Sequence, residues 1–158
     1  MNTTKVLRRV GIGVVIVFAV IQVIPYGRNH TNPPILQEPA WNTTETRALA
    51  KRACFDCHSN ETQWPWYSNI APASWLTQRD TLLGRSKMNF SEWNLTRKKA
   101  EDAAEEVQKG DMPPWFYTPI HPSAKLTPLE RQHLSAGLQS TMGERGEKSS
   151  KESEEREH

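Results

Sequence analysis

Apolar residues are concentrated near the start of the chain. A run from Val10 to Ile24 is interrupted only by Gln22 and follows three cationic residues within the first nine positions. With the two apolar residues before the arginines, this pattern predicts a helix over residues 6–24, whose arginine side chains can reach the lipid headgroups. No small-x-small cleavage site follows, so residues 1–25 predict an uncleaved signal anchor, with a cleaved signal peptide as the alternative. The positive-inside rule then places the rest of the chain outside the cytoplasm.

The next stretch, residues 26–40, is rich in proline, with Pro33, Pro34 and Pro39. Proline-rich segments adopt extended, semi-rigid conformations. We therefore expect this stretch to be a tether that lifts the folded domain off the membrane.

Helical spacing of apolar residues predicts that residues 41–142 form an all-α domain, with no convincing strand pattern. The first helix is expected to start near Asn42, where Glu45 completes a capping-box pattern, and to run into Cys54. Prolines between residues 64 and 72 predict loop there. Three further helices are expected: Ala73 to about Leu83, ended by Gly84; from just after Ser91 to Lys109, ended by Gly110; and a last one from about Pro128.

The chain ends in a charged stretch, residues 143–158, that contains no apolar residue. Such a segment cannot bury enough apolar surface to offset the entropy lost on ordering. It predicts a disordered tail after the helical domain.

Composition changes this picture only slightly. At 158 residues the chain supports one domain plus appendages. The net charge of +2, without a basic stripe, gives no indication of nucleic-acid binding. Six tryptophans are many for so polar a chain. Their rings are suited to wrapping a flat apolar cofactor, although filling an ordinary core would use them equally well.

The strongest chemical signal is the five-residue sequence Cys54-Phe55-Asp56-Cys57-His58. Cys-x-x-Cys-His is the arrangement that attaches a c-type haem. Two thiols three positions apart can form thioethers with the two vinyl groups of the porphyrin, and His58 then lies beneath the iron as an axial ligand. The motif therefore predicts one covalently attached haem c, with Cys54, Cys57 and His58 as cofactor-binding residues.

Two other kinds of site could be built from this pair of cysteines. A thioredoxin-type Cys-x-x-Cys needs a strand leading into the motif, whereas the residues before Cys54 have a helical pattern. A zinc site usually needs a second pair of cysteines or histidines nearby. Both cysteines of the chain lie in this one motif, and the other histidines are scattered singly. The sequence therefore favours haem attachment over both alternatives.

Further motifs occur along the domain, at Cys54–Ser59, Thr62–Ser68, Ala71-Pro72, Asn89–Trp93, Gly110–Pro114, Tyr117–Pro122 and Leu126–Glu130. Together they resemble the small bacterial haem-binding domain family of monohaem c-type cytochromes. The resemblance covers nearly all of residues 41–140. It implies a small cytochrome c-like helical domain outside the cytoplasm, with Cys54, Cys57 and His58 as haem residues and Met112 as the distal iron ligand.

The residues around Met112 independently favour a ligand role. Gly110 is expected to end a helix, and a residue before proline is pushed toward extended geometry, so Met112 should lie on a stiff loop. A methionine thioether is an established axial ligand of haem iron. A methionine that merely fills a gap in the core is the alternative. His121, which also precedes a proline, and Met88 are the rival ligands.

The function expected from these motifs is electron transfer by a membrane-anchored monohaem c-type cytochrome, an electron carrier more than a catalyst. We expect a single-pass protein of the bacterial inner membrane, with the haem domain in the periplasm and a redox protein as its partner. No catalytic residue is predicted. The alternatives are a haem-based sensor or peroxide-type enzyme with an exchangeable sixth ligand, and a structural module that haem stabilises.

Overall fold

The computed structural model describes residues 3–95 and 102–154, with side chains described as far as Met142. In these ranges the chain is all-helical, as the sequence predicts, and its only extended pairing is an isolated parallel bridge between Gln37 and Glu92. Two short 3₁₀ turns lie at Trp66–Asn69 and Pro122–Ala124. The helices are α1 (Thr3–Ile21), α2 (Thr44–Ala53), α3 (Phe55–His58), α4 (Ala73–Lys87), α5 (Ala103–Lys109) and α6 (Pro128–Glu154).

Helix α1 corresponds to the predicted N-terminal helix, although it begins and ends three residues earlier than expected. None of its residues is buried, and its apolar side chains, such as Leu7 at 76% and Val15 at 67% exposure, face away from the rest of the protein. In the part of the chain that the structure describes, no helix is both long enough and apolar enough to cross a membrane.

The proline-rich segment that follows α1 lies against the helical domain, in contrast to the free tether expected from its composition. Gly27 packs so closely on α4 that a Cβ there would lie 2.1 Å from the carbonyl oxygen of Ser74. The Asn60 amide donates to the Pro34 carbonyl at 2.8 Å, and the backbone N–H groups of residues 36 and 37 both donate to the Ser91 carbonyl. Partners on the domain therefore fix a segment that composition alone describes as a spacer.

Helix α2 begins one residue later than predicted, because its N-cap is Thr43. The Thr43 hydroxyl accepts a hydrogen bond from the Thr46 N–H at 3.1 Å, which satisfies a free donor of the first turn. The Asn42 side chain contacts Thr141 of α6 instead. Helices α2 and α6 approach closely at Gly137, where a Cβ would lie 2.2 Å from the Thr46 hydroxyl oxygen.

The core lies between α2, α5 and α6 and the segment that follows α4. Its aromatic centre is a stack of three rings, in which Phe90 lies 5.4 Å from Phe55 and 5.9 Å from Trp93. Offset ring pairs at such distances add to the free energy gained from burying their area. The buried members of the core are Leu49, Ala50, Ala53, Phe55, Met88, Phe90, Trp93, Ala104, Val107, Leu126, Leu134 and Leu138.

Two predicted helix boundaries are wrong. Helix α4 continues through Gly84 to Lys87, because this glycine packs against another element and does not end the helix. Residues 92–95 form a bridge and turns around the buried Trp93. The helix predicted to begin after Ser91 is therefore not present in these four residues. Helix α5 starts only at Ala103, and residues 96–101 of the predicted helix lie outside the described part of the chain. Gly110 ends α5 as predicted, with a left-handed φ of 88°.

The last helix begins at Pro128 as predicted but continues to Glu154, into the stretch that composition predicts to be disordered. Glutamate and lysine recur four positions apart there, at 144 and 148 and at 147 and 151. That spacing in the sequence favours a helical backbone.

Candidate functional site

The Cys-x-x-Cys-His motif occupies a single helical turn between α2 and α4. Cys54 leaves the helical conformation, with φ −125° and ψ −32°, so that α2 ends and α3 starts in a new direction. The Cys54 carbonyl accepts hydrogen bonds from the backbone N–H groups of Cys57 and His58 at 3.1 and 2.9 Å. Phe55, which is 2% exposed, fixes the turn in the aromatic core. The three predicted haem residues are therefore brought together on one turn.

The two thiols are not joined to each other. Burial raises the pKa of Cys54 to about 12. Burial, together with the carboxylates of Asp56 and Asp80, raises the pKa of Cys57 to about 11. A redox-active Cys-x-x-Cys pair has thiol pKa values lowered by its surroundings. The element that enters the motif is also a helix and not a strand. Both findings differ from what a thioredoxin-type site requires.

Helix α4 lies directly against the motif at Gly84. A Cβ at this position would meet the Cys57 carbonyl oxygen at 2.3 Å and the Cys57 Cβ at 3.0 Å. Only a residue without a side chain allows this approach. Gly84 therefore determines how close α4 comes to the turn that carries the thiols.

The same end of α4 orients the histidine. The His58 Nδ1 atom lies 3.1 Å from the backbone carbonyl oxygen of Met88, which can accept only if Nδ1 carries the proton. Nε2 is then left with its lone pair available to a metal, the arrangement typical of metal-binding histidines. Burial lowers the pKa of His58, which favours this neutral ring. The accepting carbonyl comes from just beyond α4, 30 positions after the histidine.

Met112 lies on the loop after α5. Its backbone N–H donates to the Glu106 carbonyl at 3.2 Å, beside the left-handed Gly110 that turns the chain. Its side chain is half-buried and packs against the hydrophobic core, which Cys54 also contacts. Met112 therefore belongs to the same cluster as the motif while remaining partly accessible.

The two rival ligands are both engaged elsewhere. Met88 is 6% exposed within the core, and its backbone carbonyl lies at Nδ1 of His58. His121 has its Nε2 in a short hydrogen bond to the Tyr67 hydroxyl, and its ring stacks on Tyr117 at 4.0 Å between centroids.

Sequence reasoning missed one member of this region, Asp56. Its Oδ2 accepts a hydrogen bond from the Tyr117 hydroxyl at 2.6 Å, and its Oδ1 accepts one from the Gln63 N–H at 2.9 Å. Burial and the Asp56 carboxylate raise the pKa of Tyr117, so the phenol keeps its proton and remains a donor. The partners are 61 positions apart in sequence, and no local pattern signals their contact.

Large apolar side chains are exposed on the loop that follows Met112. Trp115 is 84% exposed, Phe116 52% and Ile120 61%. On α4, Leu76 and Leu83 are seven positions apart, and therefore lie on one helical face, and are also about half-exposed. Apolar surface of this extent around a site is typical of a place where a ligand or partner binds.

Within the described residues, no group of three or more histidine, cysteine or acidic side chains is placed to hold a metal ion. A structural zinc ion takes four protein ligands. A haem iron takes from the protein only its axial ligands.

Comparison with protein families decides between these cofactors. A family model described as a haem-binding domain matches residues 16–140, which is most of the chain. The chain belongs to this haem-binding domain family. The match begins inside α1 and includes the proline-rich segment, so the family region is wider than the sequence resemblance suggested. No curated protein and no solved structure gives a significant match to the chain.

The residues of this haem-binding domain fit the cofactor. Two unpaired thiols and a histidine with a pre-oriented ring lie on one turn, and a partly accessible thioether packs on the same cluster. Exposed rings on the adjacent loop provide apolar area for a macrocycle. The prediction that the chain binds haem is confirmed by its family membership.

Gly84→Ala should disturb this site through a single added methyl group. The methyl would overlap the Cys57 carbonyl, and overpacking of this kind costs about 1–3 kcal/mol. We expect a lower free energy of unfolding in denaturant titration and a lower haem content per chain. Gly13→Ala is the matched control, because a Cβ at Gly13 meets nothing within 4 Å. Equal stability and haem content in the Gly84 variant and the wild type would contradict the packing described here.

Proposed function

We propose that this protein is a membrane-attached c-type cytochrome that carries electrons in the bacterial envelope with one covalent haem. The observation that carries the proposal is the turn at residues 54–58, which carries two free thiols followed by a histidine whose Nδ1 is held by the Met88 carbonyl. When bound, haem supplies an iron that changes its charge by one electron. The chain's task is to hold that iron in one geometry and to set its potential.

Cys54 and Cys57 would hold the porphyrin through thioethers, and His58 would donate Nε2 to the iron. The hydrogen bond to the Met88 carbonyl fixes the ring plane and increases the basicity of Nε2. Close packing of α4 at Gly84 keeps the turn from rotating. The proximal side of the site is therefore fixed by contacts that the protein itself supplies.

Met112 is the proposed second axial ligand. Its position on the core cluster with Cys54 supports this role, and the engagement of Met88 and His121 in other contacts weakens the rivals. Ligation by methionine and histidine raises the haem potential toward that of an electron carrier. Two protein ligands also leave no position for a substrate or gas.

The remaining assignments concern residues that would meet the edge of the porphyrin. Trp115 and Phe116 are placed to cover apolar porphyrin surface and exclude water from it. The Trp75 indole N–H is buried and has no hydrogen-bond partner among the described residues, so it is available to a propionate. Arg85 is a weaker partner for a propionate, because its guanidinium already donates to Ser59, Thr31, Asn32 and Thr62.

Covalent attachment is tested by measuring whether the haem stays on the protein after denaturation. Produced with c-type maturation machinery, the wild-type protein should retain haem in denaturing electrophoresis and acid extraction, because thioethers survive both. Cys54→Ala or Cys57→Ala should lower the retained fraction, and the double variant should retain none. Ser149→Ala, in the charged C-terminal stretch, is a neutral control. Complete loss of haem from the wild type would contradict the c-type assignment.

Met112→Ala should open the iron. We expect the methionine–ferric charge-transfer band to disappear and the ferrous protein to bind carbon monoxide readily, whereas Met88→Leu should keep the band. If the wild type lacks the band and already binds carbon monoxide, the sixth position is open and a sensor or enzyme function replaces electron transfer. If only His121→Ala opens the iron, the ligation is bis-histidine and the expected potential is lower.

The proposed location is supported by α1 and its connection to the domain. The helix exposes an apolar surface behind three cationic residues, which suits the lipid interface or interior. Its end is joined to the haem domain by Gln22, which donates to the Ala71 carbonyl at 2.9 Å and accepts from the Ala71 N–H at 3.0 Å. We therefore place the domain on the periplasmic side, close to the inner membrane, where a redox protein is its partner.

Membrane attachment is tested by fractionation of cells that produce the full chain. The protein should sediment with membranes, resist extraction by carbonate and dissolve in detergent, with the haem domain open to protease from the periplasmic side. A chain lacking residues 1–21 behind a cleavable export signal should be soluble. A soluble wild-type form that begins near residue 25 would instead show that the helix is a cleaved signal.

A further inference from the structure

Four side chains form a connected polar cluster beside the haem motif: Asp56, Tyr67, Tyr117 and His121, here called the latch. The Tyr117 hydroxyl donates to Asp56 at 2.6 Å, the Tyr67 hydroxyl pairs with Nε2 of His121, and the Tyr117 and His121 rings stack with planes 10° apart. The cluster lies against the attachment turn, because Asp56 is itself a residue of that turn and accepts from Tyr117.

The latch joins two parts of the chain that are distant in sequence. Asp56 lies between the two cysteines of the motif, and Tyr67 is in the loop that follows. Tyr117 and His121 belong to the loop that carries Met112. Each tyrosine therefore connects the histidine side of the site to the methionine side.

Within the second loop, the latch is connected to Met112 by a short and rigid path. The Tyr117 N–H donates to the Pro114 carbonyl at 3.0 Å, and the His121 N–H donates to the Tyr117 carbonyl at 3.1 Å. Only Pro113 separates Pro114 from Met112, and proline fixes its own φ angle. A displacement of the Tyr117 ring is therefore transmitted to Met112 over few rotatable bonds.

We propose that Tyr117 is a positioning residue that, through its hydrogen bond to Asp56, holds the Met112 loop at the distance that iron ligation requires. This inference rests on the function proposed above. A hydrogen bond to a carboxylate is stronger than one between neutral groups, and the stacked His121 ring restricts the phenol from its other side. The haem-attachment turn itself thereby fixes the position of the opposite ligand.

The test is the rate at which added imidazole displaces the methionine from the ferric full-length protein. Tyr117→Phe keeps the ring that stacks on His121 and removes only the hydroxyl. Loss of one hydrogen bond to a charged group should speed displacement about tenfold or more. Tyr26→Phe is the matched control, because this third tyrosine of the chain is 50% exposed and lies outside the latch. It should leave the rate unchanged.

A second variant separates positioning from general stability. Asp56→Ala should also speed displacement, and adding Tyr117→Phe to it should cause little further increase, because either change alone removes the hydrogen bond between the two side chains. Independent, additive effects would overturn the inference. If Tyr117→Phe does not fold, Tyr67→Phe takes its place, and amide hydrogen exchange over residues 112–121 should quicken relative to the wild type. Unchanged exchange would also overturn it.

The two proposals fail in different ways. If the wild type shows the methionine–ferric band, and a folded Tyr117→Phe protein shows wild-type displacement rates, Met112 remains the ligand and the latch does not position it. If the wild type has no such band, Met112 is not the ligand, and both the proposed ligation and the inference are overturned.

Discussion

The close approach of the end of α4 to the turn at residues 54–58 is the constraint on which the rest of the site depends. Gly84 lets the helix touch the Cys57 backbone, and one turn later the Met88 carbonyl meets His58. A larger residue at 84 would separate helix and turn, and His58 would lose its acceptor. The position of the thiols and the orientation of the imidazole are therefore two results of one packing contact.

The aromatic core and the loop that carries Met112 are arranged around this contact. Phe55, the residue between the first cysteine and Asp56, is buried and stacks with Phe90, so the attachment turn is part of the core. The backbone N–H of Phe90 also donates to the His58 carbonyl at 2.8 Å. The chain then continues to α5 and returns in the loop that carries Met112 and Tyr117. The Tyr117 hydroxyl donates to Asp56, and this hydrogen bond joins the loop to the attachment turn. Packing thus links the two sides of the site through the motif itself.

The local chemistry could be predicted from sequence, whereas the contacts that orient it could not. The Cys-x-x-Cys-His motif lies within five consecutive residues. The helical domain and the resemblance to a haem-binding family are likewise predicted from patterns within short stretches of sequence. Gly84 has the sequence signature of a helix end, and only the neighbouring Cys57 explains why α4 continues. The proline-rich segment has the composition of a spacer, but its partners lie on α4 and around Ser91. Contacts between positions 30 or 61 residues apart, as for His58 with Met88 and Asp56 with Tyr117, leave no local trace.

Ligation of the haem iron by His58 and Met112 is tested most directly by the proton NMR spectrum of the ferrous full-length protein carrying ¹³C-labelled methionine methyl groups. The chain has four methionines, at positions 1, 88, 112 and 142. The porphyrin ring current shifts the methyl group of an axial methionine far upfield of the others. We expect one such resonance, assigned to Met112, with the His58 Nδ1 proton protected from exchange by the Met88 carbonyl. Four unshifted methyl resonances, or a shifted one assigned to Met88, would contradict this ligation.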